Sequence, residues 1–154
     1  MARKRQPLYQ LSKARARDLD EIMELERLCF ASPWSRQVFV EELQQDFSWI
    51  MTLRHAESRR MLGFINYWIV HDEIHVLNVA THPEWRRRGL GQLLMQHAIE
   101  VGTGRSAQLV TLEVRRSNAA AHTMYLKLGF VVVGVREGYY ENGEDALIMT
   151  LELD

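Results

Sequence analysis

Apolar residues early in the chain return at intervals of three and four. Leu19, Ile22, Met23, Leu25 and Leu28 follow Asp18 with that spacing, which predicts an amphipathic helix. "SPWS" (32–35) ends it and offers Ser35 as the N-cap of a second, short helix through about Gln45. Ahead of both, "LYQLSKA" alternates as a first strand. "WIMTLRHA" and "MLGFINYWIVH" read as two strands joined by the polar "ESRR", and "IHVLNVATH" as a third, rich in β-branched and aliphatic residues. After Pro83 the helical period returns. Leu90, Leu93, Leu94, His97, Ala98 and Val101 share one face, and "GTG" (102–104) is read as the end of that helix. "AQLVTLEV" predicts a strand, and "NAAAHTMYLKLGF" a helix with Asn118 as N-cap and Gly129 just past its end. "VVVGVREG" and "EDALIMTLEL", separated by "YYENG", complete the chain as two more strands. The order β-α-α-β-β-β-α-β-α-β-β predicts a mixed α/β sheet flanked by helices, unlike a doubly wound sheet. No repeat or linker divides it, so one domain over residues 8–154 is expected behind a disordered basic tail, residues 1–7.

Composition changes this picture mainly by exclusion. With 154 residues, 47% of them hydrophobic and 25% charged, the chain fits a soluble domain with a real core. A formal net charge of −1 speaks against nucleic-acid binding through bulk charge, so any basic function is local. Cys29 is the only cysteine, which rules out an intrachain disulfide and fits a reducing compartment. "MARKRQP" leads into no apolar segment of a secretory signal, and "MLGFINYWIV" is about half a membrane span. A cytoplasmic protein without membrane contact is expected.

The local basic feature is "PEWRRRGLGQLL" (83–94), where a strand hands over to a helix. The first backbone N–H groups of a helix lack intrahelical partners and lie at its positive end. Glycines at 89 and 91 are expected to allow positive φ and to leave no Cβ that would hold a ligand away. With Arg86, Arg87 and Arg88 they would make a phosphate cradle. Two nucleotide motifs fail here. Gln92-Leu93 follows Gly91 where a Walker A loop needs Lys-Ser/Thr, and position 94 is leucine where a dinucleotide fingerprint needs glycine. A tight turn with solvated arginines fits the same residues.

"LEVRRSNAAAHTMYLKLGF" (112–130) supplies a second constellation. Taken with it, "RRRGLG" resembles the R/Q-x-x-G-x-G/A coenzyme A loop of the GCN5-related N-acetyltransferases (GNAT), with Arg86 in the R/Q place. Within that family the chain is most similar to the RimI-type ribosomal-protein-alanine N-acetyltransferases. "SPWS", "NVATHPEWRRRGLG", "LEVRRSNAAAHTMYLKLGF" and "YYENGEDALIM" occur in their proper order from about Leu8 onward. The resemblance implies a mostly antiparallel sheet of about seven strands with about four helices. It also implies acetyl-CoA as cosubstrate, no metal, and direct attack of a protein α-amine on the thioester. A free α-amine near pKa 7.8 is roughly one-seventh neutral at pH 7, a lysine near 10.4 only about four parts in ten thousand. A base is still wanted during attack. By resemblance Glu113 is that base and Tyr125 the general acid for the departing thiolate. On the residues alone, Glu113 points away from the face shared by Leu112 and Val114. Tyr125 lies in an i, i+3, i+4, i+7 stripe with Ala121, Met124 and Leu128, as a core residue would. Further implied coenzyme contacts are Val79, Ala80 and Thr81 through their amides, the loop Arg86, Arg87, Arg88, Gly89, Leu90, Gly91 and Gln92, and Asn118.

On the acceptor side the resemblance implies Trp34, Tyr139 and Tyr140. An apolar strand end beside an Asn-Gly turn explains the two tyrosines equally well. Glu141, Glu144 and Asp145 could attract a basic N-terminus or simply line a solvated turn. "HDEIH" (71–75) puts its glutamate third, not second, so a turn histidine pair is expected and not a zinc site. Cys29 reads as a buried small hydrophobe. The acceptor implied is the N-terminal alanine of a small-subunit ribosomal protein. A broader N-terminal acetyltransferase of archaeal or eukaryotic type and a non-catalytic acyl-CoA-binding module are the alternatives. Glu113 and Tyr125 together speak against the last.

Overall fold

The computed structural model of the chain describes residues 8–154, so the expected N-terminal tail lies outside the described residues. Seven strands and four helices follow the expected order. They are β1 (Tyr9–Lys13), α1 (Leu19–Cys29), α2 (Arg36–Gln44), β2 (Ser48–His55), β3 (Met61–Val70), β4 (Glu73–Thr81), α3 (Leu90–Gly104), β5 (Leu109–Arg115), α4 (Ala119–Lys127), β6 (Val131–Arg136) and β7 (Ala146–Glu152). Two single 3-10 turns, Ala16–Asp18 and Pro83–Trp85, precede α1 and α3. The strands form one sheet in the order β1-β2-β3-β4-β5-β7-β6. β4 and β5 run parallel; β1–β2, β5–β7 and β6–β7 are antiparallel. This is the mixed α/β sheet that the element order implied. Among the described residues no helix is long and apolar enough to cross a membrane.

By contact the chain divides into two compact units. The first takes residues up to Asn66 together with Val79–Leu94, the second Tyr67–Asn78 and Met95–Asp154. In the first unit, Leu19, Ile22, Met23 and Leu25 of α1 meet Phe39 of α2, Ile50 of β2, Met61 and Phe64 of β3, and Ala80 of β4. Removal of these side chains from water is the main force holding α1 and α2 in place. Leu28, expected on the same stripe, is 49% exposed: the last turn stays on the core through Glu26 and Cys29, and Leu28 shares the outer face with Glu24 and Arg27. Arg54 fastens the start of α1, its guanidinium 2.9 Å from both Asp18 and Glu21. Ser35 caps α2 as expected, its Oγ accepting the Val38 N–H at 3.3 Å.

In the second unit the buried residues Val110, Leu112 and Val114 alternate along β5 with half-buried ones, among them Glu113. "GTG" does not end α3, which runs to Gly104. A Cβ on Gly102 would lie 2.8 Å from Leu153 Cδ1 and 3.1 Å from Ile74 Cγ1. Gly102 therefore serves close packing, and the chain turns at Ser106, whose φ is +56°. Leu90, Leu94, Met95 and Ala98 form the buried stripe of α3, whereas Leu93 is 37% exposed. On α4 only Tyr125 is buried, and the other three residues of its expected stripe are half-exposed.

Candidate active site

The first unit holds the arginine–glycine loop. His82 starts it, its Nδ1 accepting the Glu84 N–H at 3.2 Å, and Pro83 opens the single 3-10 turn. Gly89 has φ +74°, and a Cβ built there meets nothing within 4 Å. The second left-handed residue is Arg87 (φ +64°), not Gly91, which lies inside the first turn of α3. The expected positive φ at Gly91 is thus replaced by one at an arginine. Leu93 N–H bonds the Gly89 carbonyl at 3.0 Å, so the helical pattern leaves the amides of Leu90, Gly91 and Gln92 without an intrahelical acceptor. Gly89 has no side chain to cap them, and the first turn carries no acidic residue. These features fit an anion that approaches the backbone closely, such as the pyrophosphate of coenzyme A.

The three arginines differ. Arg88 lies over the Trp85 ring, 4.5 Å from its centroid, and Arg87 is exposed. Arg86 hydrogen-bonds the thiol of Cys29, which in turn donates to the Thr81 carbonyl at 3.1 Å. Burial pushes this thiol up despite the arginine. Cys29 is therefore half-buried, packs against the core of this unit as the small hydrophobe expected, and also links the end of α1 to the end of β4 through its thiol. Ala80 beside it is 1% exposed. Trp34 packs on Phe39 with ring centroids 5.4 Å apart, against the core of this unit.

The second unit holds the candidate acid and base. β4 pairs with β5 over Glu73–Val76 and Leu109–Leu112. β5 then continues to Arg115 in pairing with β7. Beyond Val76 the buried–exposed alternation of β4 also lapses, with Leu77, Asn78 and Val79 all half-buried. Glu113 is the first residue of β5 past the parallel ladder. Its carboxylate receives Arg136 Nε at 2.7 Å and the Tyr139 hydroxyl. That bond to Glu113 is the main reason the Tyr139 phenol is pushed up. Tyr139 meets Tyr140 edge to face at 5.1 Å, and Arg115 lies over the Tyr140 ring at 3.9 Å. Glu113, Tyr139 and Tyr140, read apart in the sequence, thus belong to one cluster. Arg136 and Arg115 had not been singled out. The signal was there only in the alternation of β6 and β5, which puts Arg136 and Arg115 on the side-chain face of Gly134 and Glu113.

Tyr125 is 7% exposed and packs on Phe130, centroids 5.8 Å apart. Burial, helped by Tyr140, pushes its phenol to about 12. It therefore stays protonated at neutral pH and keeps an O–H to donate. Asn118 caps α4 through Oδ1, which accepts the Ala121 N–H at 3.2 Å. Its Nδ2 donors remain for another acceptor. Asn118→Asp should keep the cap and the melting temperature but put a negative charge beside any bound phosphate. Asn118→Ala should lose roughly 1 kcal/mol of stability. Equal coenzyme affinity in both variants and the parent, by calorimetry, would leave Asn118 a cap only.

The acidic turn is spent internally. Glu144 accepts Ser117 N–H at 2.7 Å and pairs with Arg115 at 3.3 Å, and the bonds from Ser117 hold its carboxyl below the usual range. Asp145 binds Gly138 N–H at 3.0 Å and Arg116 at 3.6 Å. Both fix the loop between β6 and β7, leaving Glu141 as the exposed carboxylate of the turn. In "HDEIH", His75 pairs with Glu73 at 2.6 Å, and among the described residues no group of three or more His, Cys, Asp or Glu is placed to hold a metal.

Residues 19–130 match the Acetyltransferase (GNAT) family. The ribosomal protein bS18-alanine N-acetyltransferase of Salmonella typhimurium is 35% identical over 139 residues, covering 88% of this chain and 92% of that protein. An N-alpha-acetyltransferase of Sulfurisphaera tokodaii is 32% identical over 156 residues, covering 94% and 93%. Among solved structures, the ribosomal-protein-S18-alanine N-acetyltransferase of Escherichia coli superposes with a TM-score of 0.87 at 34% identity, covering 95% of this chain and 94% of that one.

Proposed function

Because this chain belongs to the acetyltransferase (GNAT) family and is an enzyme of that class, we propose that it moves acetyl from acetyl-CoA to the α-amine of a protein N-terminus. The acceptor in this reading is the N-terminal alanine of a small-subunit ribosomal protein, met in the cytoplasm. The observation that carries it is similarity to bS18-alanine N-acetyltransferases over nearly the whole chain. In the second unit, the candidate base hydrogen-bonds Tyr139, whose ring meets that of Tyr140 edge to face.

The roles follow from the chemistry of each group. The amides of Leu90, Gly91 and Gln92, with Arg86, Arg87 and Arg88, hold the pyrophosphate. The amides of Val79, Ala80 and Thr81 stabilise the negative charge that develops on the thioester oxygen. Glu113 accepts the proton that the α-amine must lose to attack. Tyr125 donates to the departing sulfur. Burial keeps the Tyr125 phenol protonated, so Tyr125 works through its hydrogen bond as charge builds on sulfur, and the proton that ends on coenzyme A comes from the nitrogen being acylated.

Acetyl-CoA and a panel of peptides differing at the first residue test the acceptor. Mass spectrometry should find one acetyl group on the α-amine, fastest for N-terminal alanine. Comparable rates across many first residues would favour the broader specificity suggested by the Sulfurisphaera relative's name. Acetylation confined to internal lysines would sink the N-terminal reading.

A further inference from the structure

The cluster around Glu113 contains a cation that the proposed reaction does not use. Arg136 Nε lies 2.7 Å from Glu113 Oε1, where a carboxylate that receives an ammonium would need its acceptor free. The sheet register explains the reach. Glu113 faces Ile148 across β5 and β7, and Ile148 faces Gly134 on β6. Arg136 and Arg115 meet Ala146 in the next row. The small residues at 134 and 146 leave a lane by which the arginine crosses β7 to the strand beyond. The charged and titratable groups at Glu113 come from β6, the loop after it and β5. Arg136 comes from β6, Tyr139 and Tyr140 from the loop after it, and Arg115 from β5 itself, engaged with Tyr140 and Glu144. From β7 the neighbour is the apolar Ile148.

We propose that Arg136 is a positioning residue, a displaceable counter-ion that occupies the ammonium place on Glu113 until an acceptor N-terminus takes it. This inference rests on the reading of Glu113 as base. While the guanidinium is bound, the carboxylate is aimed and its charge is paired. The incoming α-ammonium replaces one cation with another, so Glu113 never stands unpaired. Once Arg136 has left, Glu113 takes a proton from the ammonium nitrogen, whose freed electron pair attacks the thioester carbon. The C–S bond then breaks, coenzyme A leaves with its sulfur electron pair, and the surplus proton still on the nitrogen passes to that sulfur. The exchange is easy because the pair is open to water: the Arg136 side chain is 55% exposed and the Glu113 side chain 28%, and such pairs are weak. It also selects, since a small ammonium can fill the vacated position and a neutral or blocked N-terminus has no charge with which to compete.

Arg136→Gln tests this with a free-amine peptide acceptor. The acceptor KM falls several-fold, because nothing has to be displaced, while kcat holds, a split that a merely structural loss would not give. Arg136→Lys, which keeps a charge on a flexible stem, should return KM most of the way. Unchanged coenzyme affinity and melting temperature certify the fold, and Arg136→Met gives the same readout should the glutamine destabilise the strand. An acceptor KM that rises or stays put, or a kcat that falls with it, overturns the inference. Glu113→Gln separates the two readings. If it keeps full turnover, both the base and this inference fall. If it is inactive while Arg136→Gln leaves the acceptor KM in place, this inference falls alone.

Discussion

Glu113→Gln is expected to lower turnover on a peptide acceptor by about 10²–10⁴-fold, the range spanned by general acid–base catalysis. The substitution is close to isosteric. A glutamine oxygen can still accept from Arg136 and Tyr139, the two groups that bind the carboxylate now. What disappears is the negative charge and the capacity to take a proton. Stability should therefore change little, and coenzyme affinity should hold, since the arginine–glycine loop is built from other residues. Steady-state rates, a calorimetric titration with coenzyme A and a melting curve read the three quantities separately. A matching fall in turnover and coenzyme affinity would assign Glu113 to binding, and an unchanged rate would remove it from the chemistry.

Gly89→Val should act on coenzyme affinity in the same direct way. At φ +74° a β-branched residue is strained by roughly 1–3 kcal/mol. That strain is paid in the free protein, where the new Cβ would meet no atom within 4 Å. The open space is the reason to expect a second effect. A ligand that uses the Leu90, Gly91 and Gln92 amides approaches close to that carbon, so coenzyme affinity should fall by at least about tenfold beyond any loss of folded protein. Gly89→Ala serves as the graded control, with less bulk at the same φ. Should both variants melt earlier yet bind coenzyme as the parent does, the loop is only a turn.

Periodicity placed every element because most of them bury one face. Strand and helix order, the Ser35 and Asn118 caps and the left-handed Gly129 all have local chemical signals. The misreadings have a common source in contacts made from a distance. Gly102 looks like a helix terminator in one dimension, whereas Leu153 and Ile74 set its size from elsewhere in the chain. Leu28 and Leu93 have core spacing, but only tertiary packing decides which edge of a stripe is covered. The positive φ expected at Gly91 falls on Arg87, where residue type gives no hint. At the site, Glu113, Tyr125 and Asn118 could be picked out through their motif. Arg136 could not, because its partner is reached across an intervening strand whose register is written nowhere in β6 alone. The carboxylates of the "YYENGEDA" turn were open to two readings, and internal bonds to Arg115, Arg116 and Ser117 account for Glu144 and Asp145.

The last strand in the sheet order has a consequence for how the molecule keeps to itself. β6 presents Val131, Val132, Val133 and Val135 with 43–58% exposure at the end of the sheet. A flat, uncharged run of this composition is a template on which another chain can add a strand. The register shifts between Val132 and Gly134, so one residue too many bends the run and interrupts its row of amides. Arg136 and Glu137 then place opposite charges at its end. What looks like a flaw in the ladder is a stop signal, and it lets an aliphatic border remain a border and not the start of a fibre.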